Sequence, residues 1–480
     1  MNAVWKPQPR QAAFMRRTED EVFFGGSKGG GKSEALVVEA LRQIDNPNYK
    51  GLILRKTYPN LLELIDKAFK YYPVANPKAR YNAQEHCWRF PSGAKIYFRN
   101  VKGSSYKTDF QGLQFDYIAF DELTHFTWDE YSYIMGGNRP SGPGTICYVR
   151  SAGNPGGIGH GWVKERFILP AKPGKRIWEE VKVRTPEGRE IEVKRSRTFI
   201  PSTVFDNKIL LRNNPNYLAT LASLPWDQRQ AFLYGDWDSF SGQVFREWRN
   251  DPLHYEDQRW THVIAPFEIP KHWEIVRSFD WGRAKPFSVG WWAVDEDGRM
   301  FRFREFYGCQ ENMPNTGLEW SDTKIARTIL DIERDDPRMR GHEIIGVADP
   351  AIGLKKDQAG YGAAWAMAQE GCYFSKARNS RMLGKQQFHN RLAFNSEGRP
   401  MMQVFTTCRH FIQQIPSLVY SETDVEDVDT KQEDHIYDES RYALCTHIIA
   451  RPEAPKEEVD ALMKFDPLNM EEDKQKIIRY

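Results

Sequence analysis

Four residues near the N-terminus have the types and spacing to hold a phosphate. Gly26, Gly31, Lys32 and Ser33 fit G-x-x-x-x-G-K-S within Phe23-Phe24-Gly25-Gly26-Ser27-Lys28-Gly29-Gly30-Gly31-Lys32-Ser33-Glu34. An anion is best cradled by successive backbone N–H groups pointing inward. The chain can curl that way only where side chains do not block it, which is the use of Gly26, Gly29 and Gly31. Lys32 would reach the β- and γ-phosphates of ATP, and the Ser33 hydroxyl would hold Mg²⁺. A glycine-rich turn without a ligand is the competing reading, but such a turn has no need of Lys-Ser at the start of a helix.

Two carboxylates follow at a second site. Phe115-Asp116-Tyr117-Ile118-Ala119-Phe120 is an apolar strand ending in Asp121-Glu122. Asp121 can hold Mg²⁺ through water opposite Ser33, and Glu122 can polarise the attacking water. After a further strand at Thr145 to Arg150 comes Ser151-Ala152-Gly153-Asn154-Pro155-Gly156-Gly157. Asn154 suits a γ-phosphate contact, with Ser151 behind it. A plain Asn-Pro-Gly turn is the alternative. An extra cation speeds phosphoryl transfer, and Arg139 and Lys28 both qualify, with nothing in the sequence to choose between them. Gln11, with Gln8 second, could read an adenine edge, since an amide both donates and accepts. An ordinary helix start explains it equally well.

The second half carries a different constellation. Glu274 to Asp280 reads as a strand ending in an acid, followed by strands at Pro286 to Val294 and Met300 to Tyr307. Three antiparallel strands opened by Asp280 are how a ribonuclease-H-like fold begins. A later strand, Ile344 to Ala348, ends in Asp349, and a late helix from Glu433 to Leu444 carries Asp438. Asp434, four residues earlier on the same helix face, and Glu439 compete with Asp438. Carboxylates so placed can converge on two Mg²⁺ or Mn²⁺ ions, which take hard oxygen ligands. Two such ions ~4 Å apart activate water and stabilise the leaving oxygen in phosphodiester cleavage. Each Asp alone is equally a turn or cap residue. Their joint placement carries the reading.

The elements that must position these groups fall into two sets. Strands alternate with helices through the first half: a strand at Glu21 to Phe24, a helix from Lys32 to Ile44, a strand at Gly51 to Thr57 and a helix from Leu61 to Tyr71. That alternation predicts a parallel sheet covered on both faces. Trp88 to Phe90 and Lys95 to Phe98 read as a hairpin, residues 172 to 198 as an inserted hairpin, and Pro215 to Tyr234 as helical. The expected organisation is an α/β P-loop NTPase domain over residues 1–235, a linker at 236–262, a ribonuclease-H-like nuclease domain over 263–450, and a charged tail at 451–480. Residues 375 to 391 are basic and almost free of acids. They are a candidate for binding DNA phosphates or a solvated helix face.

Bulk properties exclude several classes. The 480 residues are 40% hydrophobic and 28% charged, a globular composition long enough for two cores, and the net charge of +2 does not by itself indicate a nucleic-acid partner. No apolar run approaches the ~18 residues of a membrane span, and there is no apolar leader, so a cytosolic location is expected. The six cysteines are scattered without a C-x-x-C pair, which argues against a zinc site or disulfide framework.

Taken in order, these motifs resemble the large terminase subunit of tailed bacteriophages. The resemblance rests on Gly-Gly-Ser-Lys-Gly-Gly-Gly-Lys-Ser, Leu54-Arg55-Lys56-Thr57-Tyr58-Pro59, Asp121-Glu122, Ser151 to Pro155, Tyr234-Gly235-Asp236-Trp237, Asp280, Asp349 and the Asp438-Glu439-Ser440-Arg441-Tyr442-Ala443 helix. It implies an ATPase that drives double-stranded DNA into a procapsid through the portal protein, and a nuclease that cuts the concatemer. It further implies a ring of subunits on the procapsid, a small terminase subunit as partner, and a site of action in the host cytoplasm. Asp280, Asp349 and Asp438 match the family's metal triad. Position 28 is often Arg in such loops and here is Lys, which favours Arg139, acting from a neighbouring subunit, as the catalytic cation. A helicase-like translocase with a fused nuclease is the alternative, and it would need a second motor domain. A docking ATPase whose second domain has lost its metals is another.

Overall fold

The computed structural model describes residues 5–449 apart from 239, 241, 312, 354–361 and 422–426. The expected tail at 451–480 lies outside the described residues. Two sheets organise the chain. The first has nine strands: β1 Glu21–Gly26, β2 Lys50–Arg55, β3 Arg80–Asn82, β4 Cys87–Arg89, β5 Lys95–Asn100, β6 Tyr117–Phe120, β7 Tyr148–Gly153, β8 Ile177–Arg184 and β9 Glu190–Ser202, in the order β3-β4-β5-β2-β6-β7-β1-β9-β8. From β5 through β9 every pairing is parallel. The central strands are accordingly continuous apolar runs: every residue of β1 and of β6 is buried. Helices cover the faces, among them α1 Pro9–Met15, α2 Lys32–Glu39 and α3 Tyr58–Ala75. Consecutive parallel strands need such crossovers, which is why the short apolar runs and amphipathic stretches alternate.

The stretch expected as an inserted hairpin is one, and its second strand runs on beyond it. β8 pairs antiparallel with β9 along its whole length, from Ile177 opposite Arg197 to Arg184 opposite Glu190, and the end of β9, Arg197 to Ser202, lies parallel to β1 in the buried sheet. Thr198, Phe199 and Ile200 are buried there, a role hidden by the charged residues around them.

The second sheet has seven strands: β10 Val263–Ile264, β11 Glu274–Asp280, β12 Ser288–Val294, β13 Met300–Tyr307, β14 Ile344–Ala348, β15 Ser375–Lys376 and β16 Met402–Phe405, ordered β10-β16-β13-β12-β11-β14-β15. β11, β12 and β13 are antiparallel and β14 joins β11 in parallel, the ribonuclease-H-like arrangement. α4 Asp322–Asp335 buries Ile325, Ala326 and Ile329 in the core of this unit, while α6 His435–Leu444 packs on the sheet and α5 Arg381–Leu392 packs on α6. The fold is thus a P-loop-type parallel sheet followed by a ribonuclease-H-like one, each with its own buried cluster.

The segment between the sheets is packed, not free. Trp237 sits edge-on to Phe23 of β1, with ring centroids 5.6 Å apart. Phe245 lies in the second core. Gly235 has φ +71°, and a Cβ there would stand 2.8 Å from the Ser27 backbone nitrogen, so the connector begins pressed against the phosphate loop.

Candidate active sites

The ends of the parallel strands bring the first constellation together. The loop after β1 opens onto the N-terminus of α2, where free N–H groups and the helix dipole favour an anion. Gly31 is the residue just before that helix and has φ +76°, a conformation that glycine adopts without strain. Asp121 follows β6 and Asn154 follows β7, at the same sheet edge. The Ser33 hydroxyl donates to Asp121 Oδ1 at 2.9 Å. Lys32 Nζ donates to Asn154 Oδ1 at 2.9 Å and to the Ser27 carbonyl. Asn154 Nδ2 in turn donates to both Glu122 oxygens at 3.0 Å. Lys32, Ser33, Asp121, Glu122 and Asn154 are therefore one connected group. Burial pushes the Lys32 ammonium down to about 8, against the pull of Glu122 and Asp121. Glu122 holds its carboxylate there with φ +55°, a conformation uncommon for residues with a side chain.

Three of the loop's carbonyls are held by side chains from outside it. Asn207 Nδ2 donates to Gly29 O at 2.6 Å, the Ser202 hydroxyl to Gly30 O at 3.1 Å and Gln11 Nε2 to Gly31 O at 2.8 Å. The loop is held through N–H groups as well: those of Ser27 and Lys28 donate to Ser202 O at 3.0 Å and Phe232 O at 2.9 Å. Gln11 Oε1 also accepts from the Gln8 backbone N–H at 2.9 Å, and Gln8 Nε2 donates to Asn207 Oδ1 at 2.6 Å. The Gln11 amide, expected as a base reader, is buried and engaged at both ends by Gln8 and the loop.

Neither candidate cation bonds to a member of this connected group, although the Lys28 charge is near enough to lower the Lys32 ammonium. Lys28 is exposed and lies over the Phe232 ring, 3.7 Å from its centroid. Arg139 is exposed and donates to Gly112 O at 3.3 Å. Its neighbour Asn138 donates to the Phe115 and Asp116 carbonyls, at the start of β6. Arg139 therefore lies at the opposite edge of the sheet from Asp121, and within this chain it does not reach the loop. A cation that does bond to the group is Arg55, at the end of β2. Its Nε donates to Asp121 Oδ2 at 2.7 Å, and both side chains are buried. The sequence shows only a basic strand end there, because the pairing depends on β2 lying beside β6.

In the second sheet the acids gather at the end of β11. Asp349 follows β14, its backbone N–H donating to Phe279 O at 3.1 Å. α6 packs across β11 and β14 and presents Asp438. Burial, together with the Asp438 and Asp349 charges, pushes Asp280 up to about 6, although His435 opposes the rise. His435 Nδ1 is 3.2 Å from Asp280 Oδ2. Burial alone would lower His435, but its bond to Asp280 and the surrounding carboxylates hold it above its ordinary value. Asp438 is engaged by Arg441 Nε at 2.7 Å and Arg381 Nη1 at 3.3 Å. Asp434 is buried beside them, with Arg381 Nη2 3.9 Å away. Glu439 is settled by its surroundings: it is fully buried, pairs with Arg302 at 2.6 Å, and accepts from Ser278 and Trp292 beneath the sheet. It is a core residue.

The donor sets fit hard cations in kind. Ser33 and Asp121 offer oxygens beside the phosphate loop, and Asp280, Asp349 and Asp438 are carboxylates on neighbouring elements. Among the described residues, however, no three His, Cys, Asp or Glu side chains are gathered closely enough to chelate an ion as they stand. Asp438 faces two arginines and Asp280 faces His435.

The basic stretch 375–391 is also reassigned. Most of it forms α5, whose Phe388, Arg391 and Leu392 are buried. Arg381 pairs with Asp427 at 2.6 Å, and Arg391 donates to the Gly298 carbonyl at 2.9 Å. Only Lys376 and Arg378 of its charged residues stand exposed on the surface before the helix.

No protein-family model matches the chain, and no curated protein matches it. Among solved structures, the large terminase of a thermophilic bacteriophage is 16% identical, with 93% of this chain and 100% of that chain covered and a TM-score of 0.38. The HK97 bacteriophage large terminase is 10% identical, with coverages of 92% and 94% and a TM-score of 0.45. The P22 large terminase nuclease domain is 19% identical over 44% of this chain and 95% of that domain, with a TM-score of 0.31. The chain is thus similar, remotely and over most of its length, to solved large terminases of bacteriophages.

Proposed function

We propose that the chain is a large terminase subunit: an ATP-driven motor that moves double-stranded viral DNA into a procapsid, fused to a metal-dependent endonuclease that cuts it. The observation that carries the motor reading is the connected group Lys32–Asn154–Glu122 with Ser33–Asp121, set at the carboxyl edge of a parallel sheet. That edge is where open α/β sheets bind ligands.

In this reading backbone N–H groups of the loop and Lys32 hold the β- and γ-phosphates of ATP. Ser33 and Asp121 would hold Mg²⁺, which neutralises charge developing on the phosphate oxygens. Glu122 orients and polarises the attacking water. Asn154 registers the γ-phosphate, because it already bonds both Lys32 and Glu122. Arg139 remains a cation for a neighbouring subunit in a ring, the arrangement its distance from its own loop allows.

In the second unit, Asp280, Asp349 and Asp438 would hold two Mg²⁺ or Mn²⁺ ions, which supply an activated water and stabilise the leaving oxygen. For that, Asp438 must leave Arg441 and Arg381. The portal protein and the small terminase subunit are the partners of this reading, with host cytoplasm as the site of action. Among the described residues no helix is long and apolar enough to cross a membrane. A helicase-like translocase would need a second motor domain, whereas the second sheet opens with three antiparallel strands.

The test is in two parts. Phosphate release from ATP should be abolished by Lys32→Ala and by Glu122→Gln; hydrolysis equal to wild type in both would remove the motor reading. Plasmid cleavage in Mn²⁺ should be lost in Asp280→Ala while ATP hydrolysis persists, and equal cutting would remove the nuclease assignment. Uptake of double-stranded DNA into procapsids, scored by resistance to added nuclease, distinguishes a packaging motor from other translocases.

A further inference from the structure

We propose that His160 is a positioning residue that ties the turn carrying Asn154 to the connector between the two sheets, so that nucleotide at the phosphate loop is felt by that connector. The inference rests on the ATPase reading above. His160 begins the short helix His160–Val163 and is 1% exposed. Its Nδ1 accepts the Gly156 backbone N–H at 3.0 Å, two residues from Asn154. Nδ1 is therefore bare, and Nε2 carries the proton and donates to the Trp237 carbonyl at 3.1 Å. The ring stacks on the Trp237 indole, with centroids 5.3 Å apart and planes at 24°, and lies 4.0 Å from the Phe240 ring. Burial pushes the imidazole down to about 3, so the neutral form with this one tautomer persists.

The contacts at each end make this a path and not an isolated pair. On the nucleotide side, the Thr124 hydroxyl donates to Asn154 O at 2.9 Å, and Gly159 N–H donates to Thr124 O at 2.7 Å, so the turn is locked to the segment after Glu122. On the other side, Phe240 packs with Ala231 and with Val419 of the second unit. Val419 pairs with Gln243, and Val244 N–H donates to Leu418 O at 2.9 Å. A displacement of Asn154 on phosphate binding or loss would pass through Gly156 to His160. From there it would reach the backbone of Trp237 and the ring of Phe240, which touches the nuclease unit. Coupling needs such a contiguous set of packed groups, and it is established only by showing that both ends respond.

Two variants separate the two bonds. Asn places an amide near the Nδ1 position and can still accept from Gly156. Gln reaches the Nε2 position and can still donate to Trp237. Hydrogen exchange is measured on the full chain with and without Mg²⁺ and ADP. In wild type, nucleotide should slow exchange in the phosphate loop and in peptides spanning Trp237 and Phe240. In His160→Asn and His160→Gln the loop should remain protected, while protection of the connector falls by roughly threefold or more. Phe240→Leu, which keeps an apolar side chain, should give a smaller loss in the same peptides and stands in if either histidine variant fails to fold. Connector protection equal to wild type in the variants, with the loop protected, overturns the proposal. So does a wild-type connector that ignores nucleotide while the loop responds. If the wild-type loop itself shows no protection, the ATP-binding reading falls and takes this inference with it.

Discussion

The amide of Asn154 stands between Lys32 and Glu122: its oxygen accepts from the ammonium at 2.9 Å, and its nitrogen donates to both carboxylate oxygens at 3.0 Å. One side chain thus bonds both to the ammonium proposed to hold phosphate and to the carboxylate proposed to polarise water. Asn154→Ala should lower kcat for ATP hydrolysis by roughly 10- to 100-fold, the size of a lost positioning contribution to general-base chemistry. KM should change by much less. A steady-state assay decides, and an unchanged kcat would remove Asn154 from the hydrolytic group.

Arg55 and Asp121 form a buried pair in which Asp121 also accepts from Ser33. Removing the arginine leaves the carboxylate uncompensated. Arg55→Ala should therefore cost about 3 kcal/mol of stability, read by denaturant unfolding, whereas substitution of the exposed Arg139 should cost nothing measurable. Arg55→Lys keeps the charge but not the geometry and should fall between.

Gln11 supports the loop through Gly31. Gln11→Ala should weaken ADP and GDP binding by a similar factor, about tenfold for one lost hydrogen bond. Calorimetry on both nucleotides checks this. A selective loss of ADP would return Gln11 to a base-reading role.

Glu439 and Asp438 are adjacent on α6 but face different surroundings. Glu439→Gln disrupts the buried pair with Arg302 and should destabilise by about 3 kcal/mol. Asp438→Asn should leave the melting temperature closer to wild type and abolish cleavage in Mn²⁺. The two measurements together separate a core acid from a candidate ligand.

Two buried histidines give the stability a definite acid limb. Burial pushes His160 down to about 3 and His262 to about 4. His262 resembles His160 in its bonding: Nδ1 accepts the Arg249 N–H at 2.8 Å, and Nε2 donates to Leu392 O at 2.8 Å. The unfolded chain binds protons on both residues below about pH 6.5, while the folded chain does not until its lower values are reached. Their contribution is present above pH 6.5 and is lost as pH falls from there toward 4, by up to about 1.4 kcal/mol per pH unit for each group. His262→Gln should flatten this limb of a melting-temperature profile.

Much of this was legible because it is local. A phosphate loop, an acid at a strand end and an Asn after a strand are short patterns, and the parallel sheet aligns their ends. The partners that tune them are not local. Arg55 lies 66 residues from Asp121, and Arg302 137 from Glu439, so nothing in either neighbourhood announces the pair. The same limit misplaces charges. Arg381 and Arg391 read as a phosphate-binding surface or a solvated helix face until α5 packs under α6 and pairs them with protein groups. The reading of an inserted hairpin stops at residue 198, short of the buried end of β9, because that end follows a charged stretch. Glu439 and Asp438 differ only in which way one helix faces.

Gly235 carries a last consequence. Its backbone is seated on the phosphate loop, and the aromatic residues just beyond it, Trp237 and Phe240, complete the packing of Phe23 and His160. The seam between the two halves is therefore not a place to separate or exchange them as cassettes. A fragment ending at Gly235 would bare the aromatic faces of its own interior and should aggregate. One carried through Phe240 keeps that cover and should stay dispersed.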